Sequence, residues 1–417
     1  MPEFDLPAGD MPEKPCLRLG LMPLADAAPI VVAQARGYFA RHGLDVEIAV
    51  ERAWAAVRDK VATGVLDAAQ MLAPMPLAAT LGLDGVRTPM LTAMTLSLNG
   101  NAIVVSEDLH ARMCAFCEEV GGADEQPKSK ALVWARALKR LIDFERRSGK
   151  PAPVFAHVYP YSTHHYELRY WLAAGGIQPD RDLNLIVVPP PQAVAQLESG
   201  RIDGFCVGAP WGEVAERRGV GRRIVSKYQI WNNSPEKVLG VTQAWAALFP
   251  RTHLALVAAL IEANRWLDQP GNRAEAARLL SEEHYLEAPS ACVRDALSCK
   301  AADADFGPGL VFHAGAAGFP WRSQARWFLT QMQRWNHLRT DINSNAVTAA
   351  VYRPDLFRSA AAMVGVATPA VDEKVEGVHA GNWTLAGSPS AITMGADRFL
   401  DHRVFEPAAG RNVIALR

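Results

Sequence analysis

The stretch Pro160-Tyr-Ser-Thr-His-His-Tyr-Glu-Leu-Arg-Tyr-Trp-Leu-Ala-Ala-Gly-Gly-Ile177 places hydroxyl and imidazole groups where an extended segment turns into a helix. Such a start suits an anion, because the first N–H groups of a helix lack partners and its dipole favours negative charge. Tyr166, Tyr170 and Ala173 give the helix a packing face, and Gly175-Gly176 offers the left-handed conformation that a C-terminal cap needs. His164 therefore sits at the mouth of the dipole. His164 and His165 make a poor metal pair, since adjacent helical residues do not face one another. Cys114-Ala-Phe-Cys117 has the spacing of a redox or half-zinc motif, yet no second pair with ligand spacing accompanies it, and it reads as structural. No Walker A run, Gly-x-Gly-x-x-Gly fingerprint or His-Glu-x-x-His pair occurs, so the common nucleotide and zinc chemistries are disfavoured and neither cofactor nor metal is expected.

The elements that must position these groups alternate in type. Leu17 to Met22 alternates like a strand, Pro29 to Arg41 reads as one helix opened by Asp26 and closed by Gly43, and Leu44 to Val50 alternates again. Strand, helix, strand means a right-handed βαβ unit and a parallel sheet. Trp54 to Ala62 reads as the next helix, ended by Gly64. Two distant stretches, Gly64-Val-Leu-Asp-Ala-Ala-Gln-Met-Leu-Ala-Pro74 and Gly200-Arg-Ile-Asp-Gly-Phe-Cys-Val-Gly-Ala-Pro210, share Gly, Asp and Pro at the same offsets. Each reads as a tight turn, a short buried strand and a helix whose first turn accepts proline. They imply two similarly built lobes facing across a cleft, with ligand beyond the carboxyl ends of the strands; chance recurrence of a short string is the alternative. Val120 to Lys130 is polar and turn-rich, a surface loop near the crossover into the second lobe. Phe328, Met332 and Trp335 form a core stripe, whereas Gly/Pro-rich Val364 to Arg417 either wraps the body or meets a partner.

With 417 residues, 49% of them hydrophobic, the chain can build two or three lobes with full cores. A net charge of −1 argues against direct nucleic-acid binding. Six cysteines fit a reduced compartment, and the longest apolar stretch, Leu254 to Ile261, is too short to cross a bilayer. Met1 to Asp10 is acidic and carries two prolines without a basic region or apolar core, so residues 1–16 are expected to be a flexible segment rather than a secretory signal. Cys16 follows Lys14-Pro15, which is not a lipid-attachment context, and the expected location is cytoplasmic.

From about Leu17 to about Pro407 the chain resembles the periplasmic nitrate- and bicarbonate-binding proteins of ABC transporters. The resemblance rests on Asp26-Ala-Ala-Pro29, Gly43-Leu-Asp-Val46, Trp54-Ala-Ala-Val-Arg-Asp-Lys60, Met71-Leu-Ala-Pro-Met-Pro76, Asn99-Gly-Asn-Ala102, Arg169 to Ile177, Cys206-Val-Gly-Ala-Pro-Trp211 and Pro235-Glu-Lys237, specific only when taken together. It implies an α/β, periplasmic-binding-protein-like (type II) fold with a ligand cleft between two mixed-sheet lobes. One lobe is expected over 17–108 plus about 240–417, which includes a C-terminal extension, and the other over 109–239. With the expected cytoplasmic location, the pattern is similar to the NasS-type nitrate/nitrite sensors. Such a sensor would hold a NasT-like, ANTAR-type RNA-binding antiterminator regulator and release it on ligand. The alternatives are a solute-binding component of an ABC nitrate transporter and, on the same fold, an enzyme like the pyrimidine-forming thiamin synthases. That enzyme would need a histidine- and cysteine-rich segment, which the Cys114 and His164 regions do not make, so no catalysis is expected.

Nitrate spreads one charge over three weakly basic oxygens and has no proton to donate, so its pocket needs donors, a positive balance and no unpaired carboxylate. By resemblance the contacts fall on Trp54, Asn101, His164 and Lys237, with Pro190 and Val207 lining the wall and Gln70 and Thr163 as further donors. Taken singly, Asn101 reads as a turn residue and Lys237 as a solvated charge, while core filler is the lesser reading of Trp54. The resemblance implies an acidic residue and a metal cation where bicarbonate binders have their counterpart of Lys237, so the lysine favours nitrate or nitrite. Ala209 stands where the transporter proteins commonly have Glu in Gly-Glu-Pro-Trp, which implies a lost partner for the lysine. Four heavy atoms at a ceiling of about 1.5 kcal/mol each allow roughly −6 kcal/mol, a dissociation constant of tens of micromolar.

Overall fold

A computed structural model describes residues 11–121, 129–269, 271–282, 285–298 and 306–407. Residues 1–10, most of the expected surface loop (122–128) and the last ten residues lie outside these. Two five-stranded sheets organise the chain. The first contains β1 (Cys16–Leu21), β2 (Asp45–Val50), β3 (Ala68–Leu72) and β4 (Met90–Leu98); the second contains β5 (Asn101–Ser106), β6 (Val154–His157), β7 (Asn184–Val187), β8 (Gly204–Gly208) and β9 (Gly221–Ser226); β10 (Pro235–Thr242) returns to the first. The orders are β2-β1-β3-β10-β4 and β7-β6-β8-β5-β9. In each, three parallel strands precede an antiparallel strand delivered by the crossing chain. The architecture is thus a two-lobed periplasmic-binding-protein fold with two mixed sheets, and β3, β8 and all nine residues of β4 are buried.

The Gly, Asp, Pro strings do the same work in both lobes. Gly64 (φ 74°) and Gly200 (φ 71°) take the left-handed turn, and the aspartates clamp the neighbouring parallel strand. Asp67 donates its N–H to the Arg18 carbonyl and accepts the Arg18 N–H at 2.9 Å; Asp203 does the same with Val154 at 2.8 Å. Pro74 and Pro210 then stand immediately before helices Met75–Leu81 and Trp211–Arg217, where a missing N–H costs nothing.

Three boundaries differ from expectation. The helix read over 29–41 is two, Ala28–Ala35 and Tyr38–Arg41, because Gly37 turns left-handed at φ 69° between them. The crossovers lie at Asn99-Gly100 and in the segment 227–234, since β5 pairs in the second sheet and β10 in the first; hydrophobic alternation marks a strand but not the sheet it joins. Gly176 alone takes the left-handed cap (φ 84°), whereas Gly175 is right-handed and lets helix Thr163–Ala174 approach helix Lys130–Arg147. Of the expected core stripe, Phe328 and Met332 are buried on helix Arg322–Arg334, whereas Trp335, at its C-terminal cap, is half-buried against the core. No helix among the described residues is long and apolar enough to cross a membrane.

A Cβ at Gly175 would lie 2.6 Å from the Ala135 Cβ and 2.7 Å from the Ala135 carbonyl carbon, a collision with backbone. Gly175→Ala is expected to destabilise the chain by about 1–3 kcal/mol in urea denaturation.

Candidate ligand site between the lobes

Helix Thr163–Ala174 begins where sequence reasoning placed it, capped by Ser162, whose Oγ accepts the His165 N–H at 3.0 Å and donates to the Tyr159 carbonyl at 2.6 Å. His164 lies in its first turn at 0% exposure, with neither ring nitrogen hydrogen-bonded among the described residues; Nδ1 faces Glu236 Oε1 at 3.5 Å. Trp54 opens helix Trp54–Ala62 from the other lobe, and its buried Nε1 also lacks a partner. Lys237 on β10 completes the group, its Nζ lying 5.5 Å from the centre of the Trp54 ring. Trp54, His164 and Lys237 are thus buried together, with contributions from both lobes.

Sequence reasoning missed the carboxylates. Lys237 Nζ bonds Asp26 Oδ2 at 2.8 Å and Glu236 Oε1 at 2.6 Å, so the alanine at 209 does not strip the lysine of partners. Glu236 Oε2 accepts from Asn101 Nδ2 and Thr163 Oγ1, each at 2.5 Å, and from Lys227 Nζ at 2.8 Å. Lys227 in turn bonds Glu167 Oε1 at 2.5 Å and the Pro235 carbonyl at 3.0 Å. The signal was available, since Glu236 and Lys237 adjoin and Glu167 stands one turn beyond His164; a charge inside a strand or helix is nevertheless read by default as solvated.

Several expected donors are therefore committed elsewhere. Gln70 on β3 donates to Asp26 Oδ1 at 2.6 Å and accepts the Met22 N–H at 2.9 Å, so it holds Asp26 in place. Asn101 opens β5 instead of making a turn; Thr163 donates its hydroxyl to Glu236, and Asn101 donates one of its two amide N–H groups there. Val207, buried on β8, pairs with Ala102 next to Asn101; Pro190 opens a short turn beyond the end of β7, away from these charges in the chain. A cavity of about 910 Å³ at the hinge is lined by Asn101, Val207, Ala209 and Lys227, but not by Trp54, His164 or Lys237.

Charge balance follows from these contacts. Burial alone would raise the Glu236 carboxyl, but Lys227 and Lys237 outweigh it and hold the group well below the usual carboxylate range. Burial pushes Glu167 up to about 7, against the single ammonium it shares. The two acids differ because Glu236 faces two ammoniums and two neutral donors, whereas Glu167 has Lys227 and, at 3.3 Å, Ser234. Burial raises Asp26 and drives His164 down to about 3, while Asp26 and Glu236 keep Lys237 charged against its own burial.

At the mouth of the cleft Tyr159 OH donates to Asp84 Oδ2 at 2.7 Å and accepts from Arg58 Nη1 at 2.8 Å; Tyr161 OH donates to the Leu83 carbonyl at 2.7 Å. Arg58 follows Trp54 by one turn and Tyr161 precedes His164 by three residues, so these bonds tie the segments that carry Trp54 and His164. His165 makes no metal pair: its Nε2 accepts from Arg169 at 2.8 Å, its Nδ1–H donates to His157 Nε2 at 2.9 Å, and His157 donates to the Tyr159 carbonyl at 3.1 Å. Cys114 is exposed, and burial together with Cys114 pushes the Cys117 thiol up to about 11, which disfavours a reactive thiolate. Among the described residues no three His, Cys, Asp or Glu side chains are placed to hold a metal.

Residues 10–281 match the model of the NMT1-like family. The chain belongs to that family. Its nitrate/bicarbonate solute-binding branch is the one to which this chain is similar. It is 38% identical over 361 residues to the nitrate import ATP-binding protein NrtC of Synechocystis sp., covering 85% of this chain and 51% of that one. It is 30% identical over 411 residues to the bicarbonate-binding protein CmpA of Synechococcus sp., covering 94% and 84%. The chain thus spans about half the length of NrtC but most of CmpA. The crystal structure of the periplasmic nitrate-binding protein NrtA from Synechocystis superposes with a TM-score of 0.79 at 29% identity, covering 95% of this chain and 97% of that one. The family resemblance read from the sequence holds, and these relatives are binding proteins or transporter components by name.

Burial holds the His157 ring at about 3 in the fold against about 6.5 when unfolded. Its contribution is complete above pH 6.5 and is lost as pH falls from there toward 3, because only the unfolded ring takes up the proton. Between about pH 7 and pH 4.5 chemical denaturation should therefore show a loss of about 2–3 kcal/mol from this ring, absent in His157→Asn.

Proposed function

We propose that the chain binds nitrate or nitrite between its lobes. The observation that carries this reading is that the Lys237 ammonium lies 5.5 Å from the Trp54 ring and 2.6 Å from the Glu236 oxygen that His164 Nδ1 faces at 3.5 Å, while Trp54 Nε1 and the His164 ring nitrogens are buried without hydrogen-bond partners among the described residues. A planar oxyanion without a proton can accept from all three, and the first turn of helix Thr163–Ala174 adds its dipole. Lys237 occupies a position from which an ammonium repels a metal ion, which favours nitrate over a metal-assisted bicarbonate. Because the ligand would touch both lobes, it would favour the closed form by its differential affinity for closed over open.

The relatives favour a solute-recognising component of an ABC importer as the setting. A second reading is a cytoplasmic sensor that holds a NasT-like, ANTAR-type RNA-binding regulator and releases it on nitrate or nitrite to permit expression of nitrate-assimilation genes. Co-purification of such a regulator, lost on adding nitrate, would decide for the sensor; nitrate-dependent transport through a permease would decide for the importer.

Calorimetric titration with nitrate, nitrite and bicarbonate, with and without calcium, tests the ligand. Metal-independent binding of nitrate or nitrite in the micromolar range is expected. Trp54→Phe keeps the ring and removes its N–H, and His164→Ala removes the imidazole; each should weaken binding by about 10- to 100-fold, the worth of a hydrogen bond to a charged group. Unchanged affinity in both variants, or binding of bicarbonate with calcium alone, would overturn the reading.

A further inference from the structure

We propose that the chain takes up its anion together with a proton and that Glu167 holds the proton; this rests on the anion-binding reading above. Asp26, Lys237, Glu236, Lys227 and Glu167 form an unbroken row of alternating sign, three carboxylates to two ammoniums. All five are buried, with exposures of 0–1%. A row that already holds one negative charge too many is a poor host for a further anion in a place without solvent, where an uncompensated charge is costly. One proton on the row restores the balance of the row itself, leaving the anion to its own donors.

Geometry selects the acid that carries it. Glu236 engages both oxygens with two ammoniums, Asn101 and Thr163, so a proton there would break bonds from both lobes. Asp26 is engaged at both oxygens by Gln70 and Lys237. In Glu167, Lys227 and Ser234 meet Oε1, and Oε2 is buried with no hydrogen-bond partner among the described residues. It is the one carboxylate oxygen in the row without a hydrogen-bond partner among the described residues. The other titratable groups facing the cluster stay out of the neutral range: burial holds His164 on the same helix and His157 on β6 near 3, and lifts the Cys206 thiol on β8 well above its usual value. Burial brings Glu167 itself to about 7. Glu167 also lies one turn below His164, so neutralising it removes negative charge from beneath the helix start that the anion approaches.

The test is calorimetric titration of the full chain with sodium nitrate from about pH 6 to about pH 9, in two buffers of different ionisation enthalpy. If the bound state holds one more proton than the free state, affinity falls as pH rises. Above about pH 7 the loss should be about tenfold per unit, with about one proton taken from the buffer per nitrate. Glu167→Gln fixes a neutral group whose oxygen can still accept from Lys227. Its profile should be flat, its proton uptake absent, and its affinity at about pH 9 at least tenfold above that of the unmodified chain. Equal affinity across the range without proton uptake would overturn the coupling and leave the anion reading standing, whereas no nitrate heat at any pH would overturn both. Uptake that persists in Glu167→Gln would overturn the assignment to Glu167. Should that variant fail to fold, the two-buffer comparison on the unmodified chain still decides whether a proton is taken up.

Discussion

The Glu236 carboxylate is the point on which the site is built. One oxygen takes Lys237 from the first lobe's sheet and the other takes Asn101, Thr163 and Lys227 from the second lobe and the returning crossover. Five buried ionisable groups would be ruinous if any one stood alone, because desolvating a charge costs several kcal/mol and only close, well-aligned partners recover it. Alternation of sign is therefore a condition of the row's existence, and it fixes the relative positions of β10, helix Thr163–Ala174, the Asp26 turn and the crossover. Trp54 Nε1 and the His164 ring nitrogens, which have no hydrogen-bond partner among the described residues, are positioned by this frame.

Closure has a second, outer set of contacts. Arg58, Leu83 and Asp84 on the first lobe meet Tyr159 and Tyr161 on the second, and the Ala25 N–H donates to the Ala209 carbonyl at 2.8 Å beside Asp26. The Tyr161 and Ala25 bonds are between neutral groups, and the Tyr159 hydroxyl sits between the Asp84 carboxylate and the Arg58 guanidinium, so each is worth about 1–3 kcal/mol. Their sum sets how far the closed form is favoured before any ligand arrives, and thus how much of the ligand's binding energy is spent on closing. The small anion proposed above, with few atoms, would have little to spend, so part of the closing energy would come from the protein.

Much of this was legible in the residues. The Gly, Asp, Pro strings announced two equivalent lobes because a turn, a strand clamp and a proline-tolerant helix start each demand one residue type at one offset. The first turn of helix Thr163–Ala174 was legible through Ser162, Thr163 and His164. What was not legible came from partners distant in sequence: Asp26 meets Lys237 across 211 positions and Glu167 meets Lys227 across 60, and no local pattern signals such pairing. The same distance hid the carboxylates of the chain itself to which Gln70, Asn101 and Thr163 donate. Gly37 was passed over because the apolar rhythm continues on both sides of it, and rhythm does not register a single left-handed residue.

The C-terminal segment belongs to this frame as well. Trp231, one turn beyond Lys227, stacks on Phe399 at 4.9 Å and packs on Trp327 at 4.6 Å, while Tyr170, one turn beyond Glu167 on its helix, donates to Asp401 Oδ1 at 2.8 Å. Residues 399–401 thus brace both elements that carry the distal end of the charge row. A row held by distances of 2.5 to 2.8 Å tolerates little drift, because an ion pair in low dielectric loses its recovery of desolvation faster than it loses contact. Aromatic packing on the outside of Lys227 supplies the stiffness that the hinge, with left-handed Asn99 and Gly100, cannot. The segment whose role the sequence left open between wrapping the body and meeting a partner therefore packs, through residues 399–401, beside this charge row.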